Sequence, residues 1–146
     1  MIIRRAVRAD AADLTALMLS SRAYQGDYAA ILDGYAITAG QIARDEIHLT
    51  EDDGTLLGFY SLVRQDGTAE LDLMFTADAA QGRGVGRKLF AHMRERAHML
   101  GVTTVRIVAH PPAEGFYLRM GAQRIGEQPA RGKVAWTRPL LELAIG

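Results

Sequence analysis

Between Glu46 and Ala77 three apolar, β-branched and aromatic runs follow one another, "EIHLTE", "TLLGFYSLVRQ" and "TAELDLMFTA", separated only by "DDG" and "DG". Connections this short join neighbouring antiparallel strands, and Asp-Gly pairs supply the left-handed backbone that tight hairpins need. The stretch therefore reads as an antiparallel meander, the second to fourth strands of the chain. Whatever else the chain forms must pack on that sheet.

The flanking segments carry helical and strand signals in turn. "MIIRRAV" reads as a first strand, and Asp10 is placed to cap the helix "AADLTALMLSSRAY", where Leu14, Leu17 and Met18 recur at helical spacing. "DYAAILDGY" reads as a short second helix ended by Gly34, with "ITAGQIARDE" continuing as irregular or helical turns. After the meander, "RKLFAHMRERAHML" puts Leu89, Phe90, Met93, Ala97 and Leu100 on one stripe and stops at Gly101. "VTTVRIVAH" is a β-branched strand, "PPAEGFYLRMG" a helix opened by proline, and "AQRIGE" with "KVAWTRPLLEL" a last pair of strands. The order βααβββαβαββ predicts an α+β fold, a mixed, mostly antiparallel central sheet flanked by helices. With no repeat, linker or low-complexity tract, one domain over residues 1–146 is expected.

Composition removes several kinds of chemistry. The chain has no cysteine, hence no disulfide, no thiolate metal site and no thiol nucleophile. Seventeen basic residues balance seventeen acidic ones, so no global field draws nucleic acid or an anionic membrane. Arg4, Arg5, Arg8 and Asp10 break the N-terminal segment, and no apolar run approaches ~20 residues. A soluble cytoplasmic protein without nucleic-acid or membrane partners is the expectation. His48, His92 and His98 lack metal-ligand spacing and read as structural or surface residues, so no metal is expected; Met93, Met99 and Met120 read as core filler.

The stretch "AAQGRGVGRKLF" precedes the third helix and holds Gly82, Gly84 and Gly86 at alternate positions. Each glycine costs roughly 1 kcal/mol in a regular element, so three of them call for a reason. Glycines between a strand and a helix let backbone N–H groups converge where the helix N-terminus is electropositive, and phosphate is the natural ligand. The same glycines also suit a plain tight turn. A Walker loop would need Gly-Lys-Ser/Thr, which is absent, and a dinucleotide fingerprint would need glycine at Arg87 after a βαβ strand.

Gln81-Gly82-Arg83-Gly84-Val85-Gly86 resembles the Q/R-x-x-G-x-G/A pyrophosphate loop of the GCN5-related N-acetyltransferases. Its place after a fourth strand and ahead of a long helix, a fifth strand and a short helix is similar to that family's order. A second motif, Asn-x-x-Ala-x-x-x-Tyr followed by Gly-Phe, is matched by "HPPAEGFYLRMGA" with Ala113 and Tyr117 in register and Gly121 beyond. His110 stands in place of the family's asparagine and Ala122 in place of its phenylalanine. The resemblance runs from about Leu56 to Gly126 and implies acetyl-CoA as cosubstrate. It leaves the acceptor, a small-molecule or protein amine, unspecified, and homodimerisation open.

The resemblance also distributes roles. Backbone amides of Gln81, Gly82, Arg83, Gly84, Val85, Gly86 and Arg87 would hold the pyrophosphate, while Met74, Phe75 and Thr76 would meet the pantetheine and thioester where the fourth and fifth strands splay. The amide near Met74 is the implied oxyanion donor. Strand alternation puts Leu71, Leu73 and Phe75 on one face and Glu70, Asp72 and Met74 on the other. Family members place a base at the position of Glu70 or Asp72, directly or through water; the residues by themselves fit equally a solvated face or pairing with Arg64. Tyr117 would protonate the leaving thiolate, or serve as packing beside Phe116. His110 would bond the pantetheine arm or be an ordinary strand-end histidine, and Ala113 would line the coenzyme site. The implied reaction is direct attack of a primary amine on acetyl-CoA in a ternary complex. A silent acyl-CoA-binding domain is the alternative, and the zero net charge disfavours the branch that acetylates charged transfer RNA. Tyr24, Tyr28, Tyr35, Asp27 and Asp33 cluster where the family covers its acceptor and would suit a cationic amine.

Overall fold

The turn-linked runs fold as β2 (Glu46–Asp52), β3 (Thr55–Gln65) and β4 (Thr68–Thr76), paired antiparallel in sequence order. Asp53 (φ 50°) and Gly54 (φ 76°) both take left-handed backbone at the first turn, as a two-residue hairpin demands. The computed structural model describes residues 2–24, 26–32 and 34–146, leaving aside the side chains of Ala23 and Asp27. The remaining strands are β1 (Ile2–Arg5), β5 (Thr104–Val108), β6 (Gln123–Gln128) and β7 (Arg138–Ala144). They form one seven-stranded sheet in the order β1-β2-β3-β4-β5-β7-β6, in which β4 and β5 are the parallel pair. The helices are α1 (Ala11–Leu19), α2 (Ala39–Arg44), α3 (Val85–Met99) and α4 (Glu114–Arg119). The observed order is the predicted βααβββαβαββ.

Each sheet face has its own core. On one side α3 sets Leu89, Phe90, Met93 and Ala97 against Tyr60, Leu62, Leu71, Val105 and Ile107. On the other, Leu14 and Met18 of α1 and Ile42 of α2 cover Ile47, Leu49, Phe59 and Phe75. Burial of each such large side chain is worth about 1.5–3 kcal/mol, so the meander is pinned from both faces. Beneath α3 lies a polar cluster: Glu46 accepts hydrogen bonds from Arg96 (2.7 Å) and Arg5 (2.9 Å), His48 Nε2 lies 3.1 Å from Glu46, and Tyr60 Oη lies 2.8 Å from His92 Nδ1. His48 and His92 are thus structural, as the sequence reading has them. No helix among the described residues is long and apolar enough to cross a membrane.

Four local expectations need correction. The second helix is not at "DYAAILDGY"; residues 26–32 wind as a 3-10 helix, and α2 starts after Thr38. Thr38 Oγ1 accepts from Gln41 N–H and Gln41 Oε1 accepts from Thr38 N–H (3.1 and 2.9 Å), a capping box that fixes the start there. Asp10 does not cap α1, because its carboxylate takes the Val7 N–H (2.7 Å) and both arms of the Arg4 guanidinium (2.9 Å each). Met99 is 69% exposed and fills no core, lying at the end of α3 where the apolar stripe has turned away. The last strand begins only at Arg138, since Arg131 and Val134 bond each other's backbone around Gly132 (φ 59°) and close a turn.

Candidate active site

β4 pairs with β3 along its length but with β5 only through Thr68–Thr104, Ala69–Val105 and Glu70–Arg106. Beyond Glu70 the two strands part in the middle of the sheet, and backbone that a continuous sheet would have used is left to other partners. A cleft of about 700 Å³ opens there, within the range of small-ligand sites. Its β4 wall runs from Leu71 to Thr76 and includes Met74, Phe75 and Thr76, the residues that the family resemblance assigns to the pantetheine and thioester.

The alternation read from "TAELDLMFT" fails within this wall. Ser61 pairs with Leu73 and Leu62 with Leu71, so Asp72 is an extra, bulged residue. The bulge shifts the phase: Leu71 and Met74 belong to the core beneath α3, while Leu73 and Phe75 belong to the core beneath α1. Met74 therefore does not share a face with the two carboxylates. Glu70 and Asp72 remain neighbours; Asp72 keeps exposed surface, yet desolvation by the residues around it first, then the charges of Glu70 and Asp45, push its carboxyl above its ordinary value against a lowering by Arg44. Asp72 lines the cleft, and Glu70 does not. Arg64 has no ion pair with either among the described residues.

The glycine loop closes one end of the cleft. Gly82 (φ 81°) and Gly84 (φ 76°) are left-handed, with Gly84 immediately ahead of α3. Lys88 N–H bonds Gly84 C=O (3.1 Å) and is the first to close a turn, so the amides of Val85, Gly86 and Arg87 have no intrahelical carbonyl to reach. Gly86 is different, because it has helical backbone and an added Cβ would meet only Phe116 and Thr76 at 3.6 Å. Neither conformation nor fold requires glycine there. Gln81, Gly82, Gly84, Val85, Gly86 and Arg87 line the cleft, although Gln81 N–H bonds Asp78 C=O (3.2 Å). Arg83 does not line it; its N–H bonds Ala80 C=O (3.2 Å) in place of the expected phosphate, and its guanidinium lies 3.3 Å from Asp52. Gly58, which the sequence reading passed over, sits behind this corner opposite Thr76, where a Cβ would lie 2.7 Å from Phe75 O and 2.9 Å from Leu89 Cδ1. A glycine inside an apolar strand was the available signal.

Opposite β4, α4 and the strand end before it bring Tyr117, Ala113 and His110 to the same cleft. Tyr117 is 8% exposed, packed against Phe116 and Phe90, and burial, with the nearby Tyr24 phenol, pushes its hydroxyl well above the ordinary tyrosine range. It is both packed and at the cleft wall. His110 stacks on Tyr24 at 3.8 Å between ring centroids and takes the edge of Tyr28 at 4.5 Å. Tyr24, whose hydroxyl burial pushes up to about 12, lines the cleft with Ser21. Asp78 accepts from Arg22 N–H at 3.3 Å and holds this segment against the turn after β4. Tyr35 bonds Gln41 (3.1 Å), Tyr28 packs on Trp136, and of the two acidic residues expected beside these tyrosines Asp33 and the Asp27 side chain lie outside the described residues. Phe116, read from the sequence only as packing beside Tyr117, lines the cleft as well, as do Ser21 and Arg119, which carried no signal in the sequence.

The family model described as "Acetyltransferase (GNAT) domain" matches residues 35–139. No curated protein matches the chain in sequence. Among solved structures, a GCN5-related N-acetyltransferase from Rhodopseudomonas palustris superposes with a TM-score of 0.81 at 18% identity, over 98% of this chain and 94% of that one. The PaiA N-acetyltransferase of Thermoplasma acidophilum, in complex with coenzyme A, gives 0.79 at 18% identity over 98% of both chains. The ribosomal-protein-S18-alanine N-acetyltransferase of Escherichia coli gives 0.74 at 16% identity, over 99% and 94%. At such identities these likenesses establish the fold, and the family model establishes the family.

Proposed function

As the chain belongs to the GNAT acetyltransferase family, we propose that it transfers an acetyl group from acetyl-CoA to a primary amine by direct attack in a ternary complex. The observation that carries this reading is the parting of β4 from β5 with the glycine loop at one end of the opening and Tyr117 across it. The amides from Gly84 to Arg87, aided by the helix N-terminus, hold the pyrophosphate, and Gly86 lets the backbone approach it closely. The pantetheine arm runs into the gap between the strands, where unpaired backbone bonds its amides. An N–H near Met74 then faces the thioester oxygen as negative charge develops on it.

Asp72 is the base. It lines the opening, and the desolvation and like charges that raise its carboxyl strengthen it as a proton acceptor, with Glu70 acting on it through space. The ammonium of the acceptor loses one proton to Asp72, which releases it to solvent. The lone pair forms the C–N bond, the C–S bond breaks, and the second N–H proton, shed as the amide forms, restores the hydroxyl that Tyr117 gives up. A phenol raised as Tyr117 is remains protonated through the neutral range, so it donates its hydrogen to the thiolate as that charge appears.

The test is Tyr117→Phe, which keeps the ring beside Phe116 and Phe90 and removes the donor. Turnover of an amine with acetyl-CoA, followed by thiol release, is expected to fall about 10²-fold when thioester breakdown limits the rate. Coenzyme A affinity changes far less, because one hydroxyl contact contributes only about 1 kcal/mol. Wild-type turnover in the variant would return Tyr117 to packing alone, and absence of transfer to any amine by the wild-type chain would favour a silent acyl-CoA-binding domain.

A further inference from the structure

A second cavity, of about 160 Å³, adjoins the donor cleft and shares Tyr24, Asp72 and His110 with it. It also shares the apolar Leu73 and Phe75 with the cleft, and Met18, Ile31 and Leu32 complete a largely apolar lining. Two side chains of opposite charge line it as well, Asp72 from the β4 bulge and Arg138 from the first position of β7. Neither forms an ion pair among the described residues. Arg138 Nε is buried with no hydrogen-bond partner, and the cation acting on Asp72 is Arg44. One small apolar cavity thus presents a carboxylate and a guanidinium that do not satisfy each other. The Arg138 side chain is half-buried, but its Nε is enclosed and unbonded, and a ligand carboxylate offsets that cost by accepting its N–H.

We propose that the acceptor is a free amino acid with an apolar side chain, its ammonium at Asp72, its carboxylate at Arg138 and its side chain against Met18 and Leu32. This rests on the acetyltransferase reading above and adds a carboxylate to the expected cationic amine. An amine without a carboxylate leaves Arg138 Nε unbonded, and a polypeptide N-terminus has no carboxylate next to its amine. The reaction is balanced as amino acid plus acetyl-CoA giving N-acetyl amino acid, free coenzyme A thiol and one proton released through Asp72.

Matched pairs test it: L-leucine against 3-methylbutylamine, and L-phenylalanine against 2-phenylethylamine, each with acetyl-CoA. A hydrogen bond to a charged group corresponds to roughly a 10- to 100-fold preference in kcat/KM for the amino acid. Arg138→Gln is expected to lower the ratio of the two kcat/KM values at least tenfold, chiefly through KM of the amino acid. Equal efficiency on both members of each pair in the wild-type protein, or an unchanged ratio in the variant, overturns the proposal and leaves the acetyltransferase reading standing. Calorimetry of L-leucine binding to the wild-type protein saturated with coenzyme A separates the remaining cases. Binding without transfer to any amine supports this site and sinks acetyl transfer; neither binding nor transfer overturns both.

Discussion

Glu46→Gln tests the electrostatics that hold the sheet under α3. The Glu46 side chain is 7% exposed and is met by Arg96 at 2.7 Å, Arg5 at 2.9 Å and His48 at 3.1 Å. Burial alone would raise its carboxyl, but the hydrogen bonds from Arg96 and His48 and the charges of Arg5 and Arg96 hold it down at about 2, against an ordinary 4.5. At about 1.36 kcal/mol per pKa unit, the shift corresponds to about 3 kcal/mol. Its folded-state value lies below its unfolded one, so this stability is fully present above pH 4.5 and is lost as pH falls from there towards 2. Glutamine keeps the volume and removes the charge. The wild-type protein is therefore expected to exceed the variant by about 3 kcal/mol at pH 7, roughly 10 °C in Tm for a chain of this size, with the difference shrinking towards zero near pH 2. Urea unfolding of both proteins at a series of pH values measures it. His48, whose imidazole burial pushes down, makes folding acid-sensitive from about pH 6.5 downward, so the Glu46 signal is read below pH 5. A difference that does not change with pH, or one under about 1 kcal/mol at pH 7, would refute the argument that paired charge outweighs burial here.

Two glycines separate the demands of fold and ligand. Gly86→Ala places a methyl at ordinary contact distance in a helical position, so thermal unfolding is expected to show stability kept or raised by up to about 1 kcal/mol, while calorimetry shows weakened coenzyme A binding; unchanged affinity would mean that no backbone approach occurs there. Gly58→Ala forces a Cβ to 2.7 Å from Phe75 O, so a loss of about 1–3 kcal/mol in denaturant unfolding is expected, with coenzyme A affinity falling as β4 moves; a variant of wild-type stability would show that the strands yield freely.

The sequence by itself determined what local chemistry can express. Two Asp-Gly turns left the three runs around them no pairing but a meander, and Thr55–Gln65 and the element order were legible from that and from the stripe on α3. The glycine loop was legible too, since Gly82 and Gly84 adopt backbone that few other residues tolerate. Even α2 had a local sign in Thr38-x-x-Gln41, although the apolar run before it was the louder one. Tertiary structure alone decided which way residues face after Leu71, because a bulge depends on how β3 and β4 register and leaves no mark in either strand. Asp72 reaches the cleft by that shift, and Arg83 lies outside it beside Asp52, a neighbour only across the fold. Arg138 is the furthest case: it starts a strand 66 positions beyond Asp72, and only the sheet order that sets β7 beside β5 brings the two charges to one cavity. Backbone conformation is encoded residue by residue, whereas the meeting of distant side chains is fixed only when burial of both faces selects one register among those the local signals permit.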